Sequence, residues 1–205
     1  TSDIEDKPAH ALGASLGFIM SLILVLVGLY TVTVRYMADV RYASGVRITD
    51  NPNKALETVA SAIALDANNP QYLRDASLLS LNVLREELQK PVASADTETG
   101  KRIQNLIATA VQLAQQATTI APLDTRNWVN WATVYQSLVG AVDNVEAVGA
   151  DALAKASELR PGDPAFDNRT GELWMARADR SGSLARGANA EAFRKDRQES
   201  LAKAE

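Results

Sequence analysis

From Ala11 to Val34 the chain carries no charged side chain, and Leu22-Ile-Leu-Val-Leu-Val-Gly-Leu29 forms the centre of that run. Coiled as a helix, the stretch is roughly 36 Å long, against about 30 Å for the hydrocarbon core of a bilayer. Left in water, about 24 side chains at roughly 1–2 kcal/mol each would cost tens of kcal/mol. Burial is therefore compulsory, and the two covers it implies are a lipid bilayer and other copies of the same chain. A cleaved signal peptide fits poorly, because the run is too long and its leader, Thr1 to His10, is acidic (Asp3, Glu5 and Asp6 against Lys7). Arg35, Arg41 and Arg47 follow the run, partly offset by Asp39, whereas Lys7 alone precedes it. The positive-inside rule then puts everything after the run on the cytoplasmic side, with Tyr30 and Tyr36 as interfacial aromatics.

The rest of the chain is built on a recurring unit, most complete between Pro122 and Pro164. Trp128, Trp131, Ala132 and Tyr135 fall on one face of a helix, and Leu153-Ala-Lys-Ala156-Ser-Glu-Leu159 forms a second helix stopped by Arg160-Pro-Gly-Asp-Pro164. Helices that each bury one stripe must pack on neighbours, so further copies are expected. Ala62-Ile-Ala-Leu65-Asp-Ala67-Asn-Asn-Pro70, Ala117-Thr-Thr-Ile120-Ala-Pro122-Leu-Asp and Ala156-Ser-Glu-Leu159-Arg-Pro161-Gly-Asp supply them. Each carries alanine, an aliphatic residue three later, Pro or Ala at the helix end, and an Asn or Asp cap for the next helix. Their spacings are 55 (62 to 117) and 39 (117 to 156) residues.

On these residues the chain resembles the tetratricopeptide (TPR) repeat family, whose unit has a bulky-small-aromatic first helix, a small-residue second helix and a terminal proline over about 34 residues. Trp128, Trp131, Ala132 and Tyr135 match the first half, and Gly149, Leu153, Ala156 and Pro161 the second. Leu73, Ala76, Ser77 and Ser80, and Asp167, Thr170, Gly171 and Trp174, stand at the equivalent first-half positions with weaker matches. The expected fold is an all-α, TPR-like helical-hairpin solenoid preceded by one long apolar helix. Three segments follow: a polar leader (1–10), a long apolar helix running into the first hairpin (11–47), and the solenoid (48–205).

In chain order, Asp50-Asn-Pro-Asn reads as a stop and restart before a helix at Lys54–Leu65. Pro70–Gln89 reads as a long helix carrying Leu73, Leu78, Leu81, Leu84 and Leu88 and closed by Pro91. Ser94 to Gly100 reads as a loop, Lys101 to Ile120 as the returning helix, and Gly140 to Glu146 as a short insertion. Pro164 to Asp179 opens another repeat, with Arg180-Ser-Gly-Ser as its turn. The charged helix Ala190–Glu205 repeats Leu153-Ala-Lys-Ala156 at Leu201-Ala-Lys-Ala204 without reaching a proline turn, so it reads as a cap or as the opening of another repeat.

Catalytic chemistry is not indicated. Cysteine is absent and His10 is the single histidine, which excludes thiol nucleophiles and thiolate metal sites and leaves no cofactor or metal to expect. Acid clusters such as Glu86 with Glu87, or Asp75 with Glu86, share helices with Arg74 and Arg85 and read as solvated faces. With a net charge of -4 and no basic run, nucleic acid is not an expected partner. Gly13, Gly17 and Gly28 lie in the apolar run at spacings that let another helix approach closely. Trp128 and Trp131 read as core.

The TPR resemblance implies a groove formed by the first helix of each pair. Projected onto this chain, its lining is Gln71, Arg74, Leu78 and Asn82, then Arg126, Thr133 and Gln136, then Asn168 and Glu172. The apolar helix followed by Arg-Tyr-Met-Ala-Asp-Val-Arg-Tyr-Ala-Ser-Gly, and then Asn-Trp-Val-Asn-Trp-Ala-Thr-Val-Tyr-Gln-Ser-Leu-Val-Gly, also resembles the C-terminal TPR tail of bacterial O-antigen ligase or polymerase-like membrane proteins. Glycan transfer in that family belongs to the many-spanning part, so the resemblance implies a non-catalytic tail.

The expected function is non-enzymatic protein contact. One form is self-assembly into a pilus-like filament, the apolar helices buried among copies and the solenoids stacked head to tail. The alternative is a membrane-tethered scaffold for an unknown protein, or an accessory tail of a glycan enzyme. The location is a bacterial cell membrane with a single span, or the cell surface for a filament.

Overall fold

A computed structural model describes residues 8–89, 97–140, 142, 144–184 and 190–204. Among them are eight helices: α1 (Pro8–Val46), α2 (Pro52–Ile63), α3 (Pro70–Gln89), α4 (Thr97–Ile120), α5 (Thr125–Ser137), α6 (Val145–Leu159), α7 (Pro164–Leu184) and α8 (Ala190–Ala204). Each packs on its neighbours in sequence, and α3 also meets α5. The architecture is an all-α, TPR-like stack of helical hairpins, α1/α2, α3/α4, α5/α6 and α7/α8, led by the long apolar helix.

The turns use the caps that the repeats carry. Asn51 Oδ1 accepts from Lys54 N at 3.0 Å with Pro52 as the first helical residue, and Asn69 Oδ1 accepts from Gln71 N at 3.0 Å. Asp124 Oδ1 accepts from Arg126 N at 3.0 Å, and Asp163 Oδ1 from Ala165 N at 3.1 Å. The same asparagine and aspartate positions thus start α2, α3, α5 and α7. Gly162, at φ 84°, makes the left-handed step before α7 that a side chain would oppose.

Three apolar clusters fill the layers between helices. Ala38, Ala62 and Tyr72 join α1, α2 and α3. Leu81, Leu84, Ala110, Ala114, Val134 and Leu138 join α3, α4 and α5, and Ala132, Leu153, Ala156, Phe166 and Leu173 join α5, α6 and α7. Alanine lets the backbones approach, and glycine goes further where α6 meets α7 and where α1 meets α2. A Cβ on Gly149 would lie 3.1 Å from Leu173 Cδ1, and one on Gly45 only 2.7 Å from Val59 Cγ2. Trp128 and Trp131 stack at 5.6 Å and pack on the core, as their place in the repeat implies.

Several local expectations change. Thr97–Gly100 is the first turn of α4, not the end of a loop; Ser94 to Asp96 and Pro91 lie outside the described residues, as does the leader Thr1 to Lys7. The side chain of His10 is likewise outside them. Arg180-Ser-Gly-Ser is no turn, because α7 continues to Leu184. Ser181 donates to Asp196, and Gly182 accepts close approach of the Arg197 side chain, so the small residues serve packing against α8. Glu87 is buried against Arg102, with Nη2–Oε1 at 3.0 Å, and Asp75 accepts from the Tyr42 hydroxyl. Glu87 and Arg74 are therefore not on solvated faces, and Asp75 is half-buried.

The charged helix α8 is held chiefly by polar contacts. Arg177 donates to Asp196 at 2.7 Å, Ser181 donates to the same carboxylate, and Lys203 sits over the Trp174 ring at 4.4 Å. The Arg177 hydrogen bonds hold the Asp196 carboxyl below its ordinary value, against the upward push of burial and with help from Ser181. A depressed folded-state pKa contributes stability that is present above the ordinary value of 3.8 and lost as pH falls through the lowered one. Asp196→Asn is expected to loosen α8 by about 1–2 kcal/mol, the partial exposure of the pair moderating the loss. Hydrogen exchange should rise across α8 alone at neutral pH, and the variant's α8 should lack the acid-dependent step expected of the parent.

Candidate functional site

Successive first helices are joined by polar side chains along one edge of the stack. Between α1 and α3 the bridges are reciprocal: Tyr42 donates to Asp75 and Tyr72 to Asp39, with the two rings stacked at 4.7 Å. Burial first, and then the bond to Asp39, keeps the Tyr72 hydroxyl protonated to higher pH than a free tyrosine. Between α3 and α5, Arg74 Nη1 donates to Asn127 Oδ1 at 2.6 Å, and Asn130 Nδ2 to Ser77 Oγ at 2.9 Å. Between α5 and α7, Arg169 Nη2 donates to Thr133 Oγ1 at 2.7 Å and to Gln136 Oε1 at 3.3 Å.

Where α3, α5 and α7 come together, these bridges wall an open cavity of about 440 Å³. Leu78, Val129, Ala165 and Phe166 give it an apolar lining, and Arg74, Arg126, Arg160 and Arg169 surround that lining with guanidinium groups. Three of the four have a carboxylate. Asp124 takes Arg74 at 3.2 Å and Arg126 at 2.9 Å, and Asp163 takes Arg160 at 3.2 Å. The Arg126 hydrogen bonds are the main cause holding the Asp124 carboxyl below its ordinary value, so it stays ionised well into acid. Arg169, half-buried, has two neutral partners and no carboxylate within ion-pair distance among the described residues. Asn130 also lines the cavity; it is 6% exposed and its Oδ1 has no hydrogen-bond partner among the described residues.

Of the residues projected from the sequence, Arg74, Leu78, Arg126 and Thr133 line this cavity, and Gln136 steadies it by accepting from Arg169. Gln71 instead donates to the Tyr42 hydroxyl at 2.7 Å, and Asn82 accepts from Arg85 at 3.4 Å. Asn168 and Glu172 are exposed and do not line it. The reason is register. Asn127 and Asn130 face the preceding first helix, Thr133 and Gln136 the following one. In α7 the equivalents that face α5 are Phe166 and Arg169, while Glu172, the counterpart of Thr133, points away. Arg160 and Asp163 come from the turn before α7, which projection along first helices alone cannot select. Matching α7 to α5 residue by residue is the signal that selects Phe166 and Arg169.

The apolar residues of α1 from Leu12 to Leu29 are all exposed: Phe18 is 71% exposed, Leu24 67% and Leu29 64%. A Cβ on Gly13, Gly17 or Gly28 would meet no atom within 4 Å. This helix is long and apolar enough to cross a membrane. Among the described residues no group of acids or histidine could hold a metal ion.

No protein-family model and no curated protein matches the chain. Among solved structures it is similar to MamA 41-end from Desulfovibrio magneticus RS-1, at 17% sequence identity, over 84% of this chain and 97% of that one, with a TM-score of 0.30.

Proposed function

We propose that the chain is a non-catalytic, membrane-anchored helical-repeat module that presents the α3/α5/α7 groove to a protein segment. The observation that carries this reading is α1. Its apolar part is exposed on every side, and the same unbroken helix becomes the first helix of the first hairpin. A helix apolar all round matches lipid better than a single protein groove. The reciprocal Tyr–Asp bridges to α3 then fix the repeats relative to the anchor. The arginines after the apolar stretch favour the cytoplasmic face of a bacterial membrane. The open faces at Gly13, Gly17 and Gly28 favour a second reading, assembly of copies into a pilus-like filament. The motifs shared with O-antigen ligase-like proteins favour a place as the tail of a larger membrane protein.

The absence of native cysteine makes the topology directly measurable. Ser2→Cys should react with a membrane-impermeant maleimide in intact bacterial cells, and Leu88→Cys only after lysis. The protein should stay with membranes through alkaline carbonate and leave them in detergent. Release by carbonate, or equal labelling of both positions before lysis, would overturn the anchored reading.

A further inference from the structure

We infer that the segment held in the groove carries a carboxylate, received by Arg169, next to an apolar side chain received by Leu78, Val129 and Phe166. This rests on the groove reading above and names the chemistry of its occupant. The four arginines around the cavity are drawn from α3, α5, α7 and the turn before α7, in a chain whose net charge is -4. Their concentration here runs against the overall balance. Local acids neutralise most of it: Asp124 and Asp163 take three guanidinium groups, and Asp75, also at the cavity, accepts from Tyr42.

Arg169 is the exception. Thr133 and Gln136 hold its Nη2 and orient the fork without supplying charge. A half-buried guanidinium fixed by neutral acceptors keeps its remaining donors and its full charge for something else, and a planar carboxylate matches that fork. Asn130 fixes the same wall by donating to Ser77 at 2.9 Å, and its Oδ1 lies beneath the cavity surface, so the contact left for an occupant is the Arg169 fork. An acidic residue beside a bulky apolar one would complete both halves of the site. A chain-terminal carboxylate has the same chemistry as an acidic side chain, so the test separates the two.

The full chain, in lipid nanodiscs, is offered a display library of random octapeptides, with Leu78→Arg as the groove-blocked control. Selected peptides should need an open groove and be enriched in Asp or Glu beside Phe, Leu or Ile. The probes Ac-Ala-Phe-Asp-amide, Ac-Ala-Phe-Asn-amide and Ac-Ala-Phe-Ala-OH are then titrated by calorimetry. Binding of the first and not the third assigns the carboxylate to a side chain, and the reverse assigns it to a chain end. Arg169→Gln should weaken the carboxylate probe about tenfold or more and leave the Asn-amide unchanged, and Arg169→Lys should recover part of the loss. Unchanged circular dichroism and melting exclude unfolding. Groove-dependent peptides without acid enrichment, or a carboxylate effect that persists in Arg169→Gln, would overturn this inference and leave the groove reading standing. Failure to select any peptide that Leu78→Arg rejects would overturn both.

Discussion

Gly45→Val is expected to pull α1 away from α2 and to leave the later hairpins folded. At Gly45 a Cβ would lie 2.7 Å from Val59 Cγ2, 3.1 Å from Val59 N and 3.3 Å from Ala55 O. The first neighbour is a fully buried side chain and the other two are backbone, so rotation of one methyl group does not relieve the clash. Either α2 shifts bodily or the crossing opens, at a cost of about 3 kcal/mol or more. Opening the crossing also strains the Tyr42–Asp75 and Tyr72–Asp39 bridges, which share the face of α1 that carries Ala38. Nearest-neighbour packing confines the damage, because α5 to α8 contact neither α1 nor α2 through the core clusters. Hydrogen exchange on the nanodisc-embedded chain is the measurement. Protection should fall across residues 38–63 and persist around Leu84, Val134 and Leu153. Gly17→Val, placed where nothing lies within 4 Å, should leave the exchange pattern of the repeats unchanged. Uniform loss of protection in Gly45→Val would show that the stack unfolds as one unit.

Gly45 also shows where sequence reading stops. Helix identity was legible because apolar residues three and four apart recur between proline and Asn/Asp signals, and the ends of α3 and the starts of α5 and α7 follow from those signals alone. Contacts between helices depend on register, which one sequence displays poorly. Gly45 has no local mark separating it from Gly28, yet one sits against backbone and the other in open space. Gly182 looked like a chain breaker, and its role is visible only once Arg197 lies beside it. In the groove, Arg74, Leu78, Arg126 and Thr133 were reachable by projecting first-helix positions. Arg169 was missed because its place in the cavity wall comes from facing α5, and Arg160 because it belongs to a turn. Burial reversed the reading of Glu87, since its partner, Arg102, is on the returning helix beyond a loop.

The largest effect expected is on the anchor. In the double variant Ile23→Arg, Val25→Arg the two charges stand about 200° apart around α1, so no single partner face or snorkelling direction hides both. Each arginine near the middle of a span costs about 2.5–3.5 kcal/mol on insertion scales, in addition to the apolar side chain it removes. Ile23 and Val25 are 49% and 62% exposed, so the repeats lose no packing, and soluble protein should keep its helical spectrum. The fraction floating with lipid vesicles should fall at least tenfold, with the repeats still melting as in the parent. Gly17→Leu separates lipid from self-association as the cover for this helix. A leucine there is as soluble in hydrocarbon as its neighbours and should float normally, but it fills the open approach that Gly17 shares with Gly13. If detergent-free preparations form ordered filaments that Gly17→Leu abolishes, copies of the chain cover α1. If flotation survives Gly17→Leu and disappears in the double-arginine variant, lipid does, because only hydrocarbon penalises charge on both faces and ignores a larger apolar side chain on one.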